Sequence, residues 1–321
     1  MNHTRREVLL AIPAMGAAAA RVAAARPGSW KPKIGILCWY TEANIAFAAA
    51  EGFKSLELTA APKSKLDAAA ITDEQAEQAK SVISRAGLEL SVLGYVGNHT
   101  APDKAERERV NAYTGKVIEL AGKLGVPYLG TMSGNMRGRP FKEQIDEIVR
   151  VYNEKYFPLC EKHKVRILWE PWPEGPNLAT GPIGYDALFK AFGNSPHVGI
   201  QYDASHLLRQ FMDPVQCMRD YMDKIYNLHL KDTEIFWHVL KRSGINPPDG
   251  TRWWRYRIPG YGQLDWPQIF TVLMDAGYSG SMNIEHEDET YGQPLPDGNF
   301  SEDFKTGFRM GLRYLRQYVP A

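Results

Sequence analysis

From Lys33 onward the chain alternates a short apolar stretch of strand character with a longer amphipathic helical stretch, and it completes the alternation eight times. Strands separated by helices pair in parallel, and eight such units over about 290 residues match a closed (β/α)8 barrel better than an open sheet. The strand-like segments are Lys33 to Tyr40, Ser55 to Thr59, Leu88 to Val96, Tyr128 to Ser133, Arg166 to Trp169, Val198 to Asp203, Ile225 to Lys231 and Ser281 to Glu287. Helical periodicity runs through Thr72 to Ala86, Asp103 to Leu124, Phe141 to His163, Asp265 to Ala276 and Asn299 to Tyr318. Thr72 and Asp103 stand where helices start, and Gly87 and Gly125 where the first two of these stop. No Gly-x-Gly-x-x-Gly or Walker sequence opens any of the helices, which removes the usual nucleotide-binding alternative for repeated βα units. The expected fold is a single-domain α/β TIM barrel.

Residues 1–25 stand apart from this pattern. Arg5-Arg6 precede an apolar run from Val8 to Ala20, and Ala23-Ala24-Ala25 supplies a small-residue cleavage site. The segment reads as a twin-arginine export signal, with the barrel occupying 26–321 and the mature protein periplasmic or otherwise exported. The run is rich in Ala and Gly and short of the ~20 residues a membrane span needs, so no span is expected in the mature protein. Export that continues after both arginines are replaced by lysine would refute the signal. A formal charge of +1 gives no reason to expect a nucleic-acid partner. Cys38, Cys160 and Cys217 are too few and too scattered for a disulfide framework or a thiolate metal cage, and read as buried apolar side chains.

The chemistry lies at the ends of the last four strands, which finish in Glu170, Asp203, His229 and Glu285. Strand ends of a parallel barrel converge on one mouth, so these four side chains are placed to meet. The first two separations are about one βα unit each; the third is longer, and the turn-rich stretch 233–262 reads as a loop extension after strand seven. Side chains alternate along a strand. If Asp203, His229 and Glu285 point inward, so do Gln201, Asn227 and Asn283, which makes a tier of amides beneath a tier of carboxylates and imidazole. Three carboxylates and one His form a hard oxygen and nitrogen site for a divalent metal, Mn²⁺ first, with Mg²⁺, Co²⁺ or Zn²⁺ compatible.

The segments Trp169-Glu170-Pro171, Asp203-Ala204-Ser205-His206, His229-Leu230-Lys231-Asp232 and Ile284-Glu285-His286-Glu287 resemble the xylose-isomerase-like TIM-barrel superfamily of sugar phosphate isomerases and epimerases. Gly52 to Leu58 and Gly262 to Trp266 fit the same pattern, so the resemblance spans nearly all of the mature chain. It implies that Glu170, Asp203, His229 and Glu285 bind one divalent metal and that His206 contacts substrate. It also implies abstraction of a proton beside a carbonyl, with Glu170 and Glu285 as the catalytic carboxylates on opposite sides of a bound sugar.

One departure is visible. Family ketose epimerases usually place an arginine shortly after the strand-seven histidine, and here the chain runs Lys231 to Phe236 without one. In its place stands the aromatic and basic run Arg252 to Ile258, read as a lid in which Trp253, Trp254 and Arg257 close over a substrate larger than a small free sugar, or else as a packing or oligomer-contact loop. Lys231 can hold a hydroxyl or act as an acid, or belong to a salt bridge at the rim with Asp232; Trp39 and His99 are further lining candidates. The leading expectation is therefore an isomerase or epimerase of a non-phosphorylated sugar or keto-sugar. A lyase or dehydratase acting on a keto-glycoside is the first alternative, and an exported sugar-binding barrel without turnover the second. The expected partner is a small carbohydrate, and a homo-oligomer is compatible with this reading.

Overall fold

Short stretches rich in Leu, Ile and Val favour the pleated backbone, and eight of them close into one parallel barrel. A computed structural model describes residues 30–319. The strands are β1 (Lys33–Cys38), β2 (Ser55–Thr59), β3 (Glu89–Gly94), β4 (Tyr128–Thr131), β5 (Arg166–Trp169), β6 (Val198–Asp203), β7 (Ile225–Leu230), β8 (Asp232–Ile235), β9 (Trp254–Arg257) and β10 (Ser281–Ile284). β1 to β7 pair in chain order, and β10 closes the ring between β7 and β1. The expected barrel is thus present. The expected signal segment, 1–25, lies outside the described residues. Among the described residues no helix is long and apolar enough to cross a membrane.

Helix ends follow the local sequence. Thr72 and Gln75 form a reciprocal capping box at the start of the helix Asp73–Arg85. Asp103 caps Lys104–Leu124 through the Glu106 amide, and Gly125, with φ of 75°, ends that helix in the left-handed conformation glycine tolerates. The stretch expected as one helix from Phe141 to His163 instead divides into Phe141–Val151, a π-turn over Tyr152–Tyr156 and Phe157–His163. Pro158 explains the break: it has no amide to donate, and its ring crowds the preceding turn of an α-helix. The wider turn leaves both Tyr152 and Tyr156 completely buried. All three cysteines are free and buried, as expected.

The stretch 233–262 is an ordered extension in place of the expected loop. β8 and β9 pair antiparallel, with Thr233 opposite Tyr256 and Ile235 opposite Trp254, and the helix Trp237–Ser243 lies between them. Asp232 fixes its root. Fully buried, it accepts hydrogen bonds from the Trp266 indole (2.8 Å) and from the Gly260 and Leu264 amides (3.1 Å each). A Cβ at position 262 would collide with the Asp232 carboxylate, so the turn requires Gly262. Asp232 therefore serves the backbone and makes no rim salt bridge with Lys231.

Inside the ring the residues are polar where most barrels pack Val, Ile and Leu. Ser55, Glu57, Ser91, Gln201, Asn227 and Asn283 are all buried there, and the hydrocarbon core lies outside them, between strands and helices.

Candidate metal and substrate site

Period-two alternation on β6, β7 and β10 gives the inward face, as the sequence implies. Gln201 and Asn227 donate to the two oxygens of Glu57 (3.1 Å each), and Asn283 donates to the Asn227 carbonyl (3.1 Å). The amide tier exists, but it converges on a carboxylate that sequence reasoning did not assign to the site. Glu57, on β2 and only 1% exposed, lies 3.0 Å from His229 Nε2. An imidazole anchored through one nitrogen by a carboxylate presents the other in a fixed direction. Here that second nitrogen, Nδ1, faces Glu170 Oε1 at 2.8 Å and Glu285 Oε2 at 3.1 Å. The available signal for Glu57 was a single charged residue in the otherwise buried Ser55-Leu56-Glu57-Leu58 strand.

Four donor groups, from Glu170, Asp203, His206 and Glu285, come within 4.8 Å of one another. Three of the four expected metal ligands are in this group; its imidazole is His206, while His229 reaches the same Glu170 and Glu285 oxygens from the barrel side. Lys231 is buried beside them, donating to Glu285 Oε2 (2.6 Å) and Glu287 Oε2 (2.8 Å) and lying 3.2 Å from Asp203 Oδ2. That Asp203 oxygen is buried, with the Lys231 ammonium and, at 3.5 Å, His206 Nε2 as its nearest charged or titratable neighbours. Glu287, like Glu57, was not foreseen as part of the site.

The charges in this cluster are strongly coupled. Burial opposes ionisation of Glu170, but His229 and His206 outweigh it and hold the carboxyl well below its usual value. At Glu285 burial is again opposed, chiefly by Lys231, and the carboxyl titrates at about 2. Burial disfavours the Lys231 ammonium, yet Asp203, Glu285 and Glu287 keep it well above the ordinary lysine value. Around these atoms stand the carboxylates of Glu57, Glu170, Asp203, Glu285 and Glu287 with a single lysine. A convergent, oxygen-rich donor set and an excess of carboxylates over cationic side chains fit a hard divalent cation.

The cluster opens to solvent through two adjoining cavities that share Leu37, Trp39 and Glu285 in their walls. The inner, of about 370 Å³, reaches Glu57, Glu170, Gln201 and His229 at the barrel mouth. The outer, of about 390 Å³, runs between the extension and the chain after β10. Trp39, expected to line the site, faces both.

The extension meets this space with one face only, which carries one of the three expected lid residues, Trp254. Arg252, Trp254 and Tyr256 line the outer cavity. Trp253 and Arg257 alternate with them and point away. Trp253 stacks on Phe211 (5.6 Å between ring centroids) and donates its indole N–H to the Ile245 carbonyl (3.0 Å). Arg257 is held by Asp288 and Glu234 at 2.7 Å each. Neither can act as a lid residue from these positions. Tyr256 was unforeseen, and its hydroxyl lies 2.7 Å from His206 Nδ1, so the extension braces the imidazole whose Nε2 faces Glu170 at 3.3 Å.

His99 is likewise displaced from its expected role. It is fully buried behind β4, with Nδ1 3.0 Å from the Tyr156 hydroxyl and Nε2 3.2 Å from Thr131 Oγ1, and it touches neither cavity. Burial lowers its pKa from 6.5 to about 4. The unfolded chain binds this proton at a higher pH than the folded one, so the contribution of His99 to stability is complete above pH 6.5 and is lost as the pH falls toward 4. The loss reaches ~3 kcal/mol. Denaturant unfolding between pH 7 and 4 is expected to show His99→Gln with a shallower acid decline than wild type; an identical slope contradicts the assignment.

Residues 45–318 match the family described as the xylose isomerase-like TIM barrel. The chain belongs to that family. Among family relatives, the uncharacterized protein YfiH of Bacillus subtilis strain 168 is 28% identical over 284 residues, covering 78% of this chain and 89% of YfiH. An inosose dehydratase of Clostridium tetani is 28% identical over 93 residues, a match that spans only 29% of this chain and 31% of the dehydratase. Among solved structures, 3-keto-D-glucoside 4-epimerase from E. coli has the same fold, with a TM-score of 0.68 at 16% identity over 89% of this chain and all of that one.

Proposed function

We propose that this xylose isomerase-like barrel is a divalent-metal-dependent isomerase or epimerase that moves a proton on the carbon beside the carbonyl of a non-phosphorylated keto-sugar. One observation carries the reading. Of the three carboxylates in the convergent donor group, Glu170 and Glu285 line the inner cavity, whereas Asp203 is sealed from it. Asp203 is thus restricted to holding charge, and the other two are able to meet a ligand.

Glu170, Asp203, Glu285 and an imidazole, with His229 expected from its strand-end motif and His206 from its proximity, would hold the metal. When bound, such an ion polarises a carbonyl or hydroxyl oxygen and stabilises the negative charge that develops there. The chain's own groups supply the rest. Glu170 and Glu285 both face His229 Nδ1 and line the inner cavity, so one carboxylate can take a proton from a bound sugar while the other, once protonated by solvent, gives one back. His206, expected to contact substrate, lines neither cavity; braced by Tyr256, it orients Glu170, and Lys231 holds Glu285 and Glu287 in place. Arg252 is the sole arginine or lysine among the residues lining the two cavities, and it is outnumbered by glutamates, which favours a neutral sugar over a phosphorylated one. The names of the relatives, an epimerase and a dehydratase of polyhydroxylated rings, agree with this chemistry.

A lyase acting at the same centre is the second reading, supported by the outer cavity beside Glu285, which leaves room for a leaving group. The deciding experiment incubates the Mn²⁺-loaded protein with methyl 3-keto-D-glucoside in D₂O. Deuterium in recovered, isomeric sugar is expected. Release of methanol or water identifies the lyase, and tight binding without exchange identifies a sugar-binding barrel.

A further inference from the structure

The proton-transfer chemistry proposed above needs only the inner cavity, yet the outer one is of similar volume, opens from the same Glu285 and, beyond the shared Leu37, Trp39 and Glu285, is built from different residues. Both lie within the ~300–1,000 Å³ range of small-molecule sites. Resting on that reading of the inner cavity, we infer that the outer cavity is a subsite for a second pyranose ring, so that the substrate class is a two-ring keto-glycoside.

Three features of the outer cavity select a sugar ring. Trp39, Trp254 and Tyr256 supply aromatic surface, on which the C–H face of a pyranose packs. The ring of Trp254 is held in place: the Arg209 guanidinium lies 3.9 Å above it, and the Tyr256 ring meets it edge-on at 4.8 Å. Around this surface stand hydrogen-bonding groups suited to hydroxyls. Arg252 and Glu289 face each other at 3.1 Å across the outer edge, Gln293 lines the wall, and Glu287 leads back to Lys231. The acid-rich lining disfavours a phosphate or carboxylate, and the polar edge disfavours a purely apolar aglycone.

The geometry also fixes the direction of binding. Trp39 and Glu285 belong to both walls, so a ligand spanning the cavities places the bond between its two rings beside Glu285, with the reacting ring toward Glu170 and His229.

The test compares three substrates with full-length, Mn²⁺-loaded protein: methyl 3-keto-D-glucoside, its counterpart with glucose in place of methyl, and its phenyl counterpart. The kcat/KM for deuterium exchange or product release is expected to be at least tenfold higher for the two-ring sugar than for the methyl compound. Trp254→Ala is expected to bring the ratio close to one and Trp254→Tyr to retain most of it, whereas Trp253→Ala, on the opposite face of the strand, keeps it. Equal kcat/KM for the methyl and glucosyl compounds in wild type overturns the subsite, as does a gain confined to the phenyl compound. If none of the three reacts, the proton-transfer reading fails by itself. Calorimetric Kd values for the same compounds then decide the subsite: tenfold tighter binding of the two-ring sugar supports it, and equal Kd values overturn it.

Discussion

Replacing Glu170 or Glu285 with glutamine is expected to lower turnover by on the order of 10²-fold or more at saturating Mn²⁺. Glutamine preserves the size of the side chain and removes both its charge and its ability to take up a proton. Each carboxylate contacts His229 Nδ1 and lines the inner cavity, so each substitution strikes the donor set and the proton-transfer pair together. Metal affinity measured by calorimetry separates the two losses: a variant that binds Mn²⁺ and still fails to turn over has lost its proton acceptor. Chelator-treated wild type is expected to lose activity and to regain it with Mn²⁺, Mg²⁺ or Co²⁺. Full activity in a metal-free preparation, or turnover within threefold of wild type in both variants, ends the assignment.

Glu57 is expected to matter almost as much without lining the metal group itself. Its oxygens accept from Gln201 and Asn227 and face His229 Nε2, so Glu57→Leu removes the carboxylate that two buried amides and an imidazole share and leaves them only one another. Removing one partner from a buried charged pair typically costs about 3–5 kcal/mol, and a loss of that size is expected in denaturant unfolding. Glu57→Gln fills the same space and keeps one acceptor oxygen. Its effect is expected to be functional, a 10–100-fold weaker metal affinity through a less firmly oriented His229. A leucine variant of wild-type stability, together with a glutamine variant of unchanged metal affinity, shows that Glu57 neither supports the barrel interior nor aims the imidazole.

The site was legible in the sequence where a strand's own alternation carries the information. Gln201 and Asp203, Asn227 and His229, Asn283 and Glu285 are pairs two residues apart, and a pleated strand must send both members of each pair to one face. The same rule gave no guidance over Arg252 to Arg257, because arginines and aromatics occur on both faces of β9 and either parity places a tryptophan toward the cavity. The choice between Trp253 and Trp254 was made by packing: Phe211 takes one ring, and Arg209 stacks on the other. His99 was misplaced for a related reason. Its position after β3 suggests a loop at the mouth, but the π-turn before Pro158 delivers Tyr156 to its Nδ1 and draws the ring into the core.

By itself, then, the sequence determined the eightfold βα alternation, the parallel barrel it closes into, the three carboxylates at the ends of β5, β6 and β10, and the amide tier below them. All of these follow from local periodicity and chain direction, which are properties of a segment and its neighbours. Only the tertiary structure decided that Glu57 is the centre of the amide tier, since it meets Gln201 across 144 residues of chain and Asn227 across 170. It also decided that Lys231 lies among the carboxylates, that Tyr256 braces His206 and that two cavities meet at Glu285. Those relations depend on ring closure and on the path of an inserted hairpin. Neither leaves a periodic trace, because the partners approach through space from strands whose own patterns are satisfied without them.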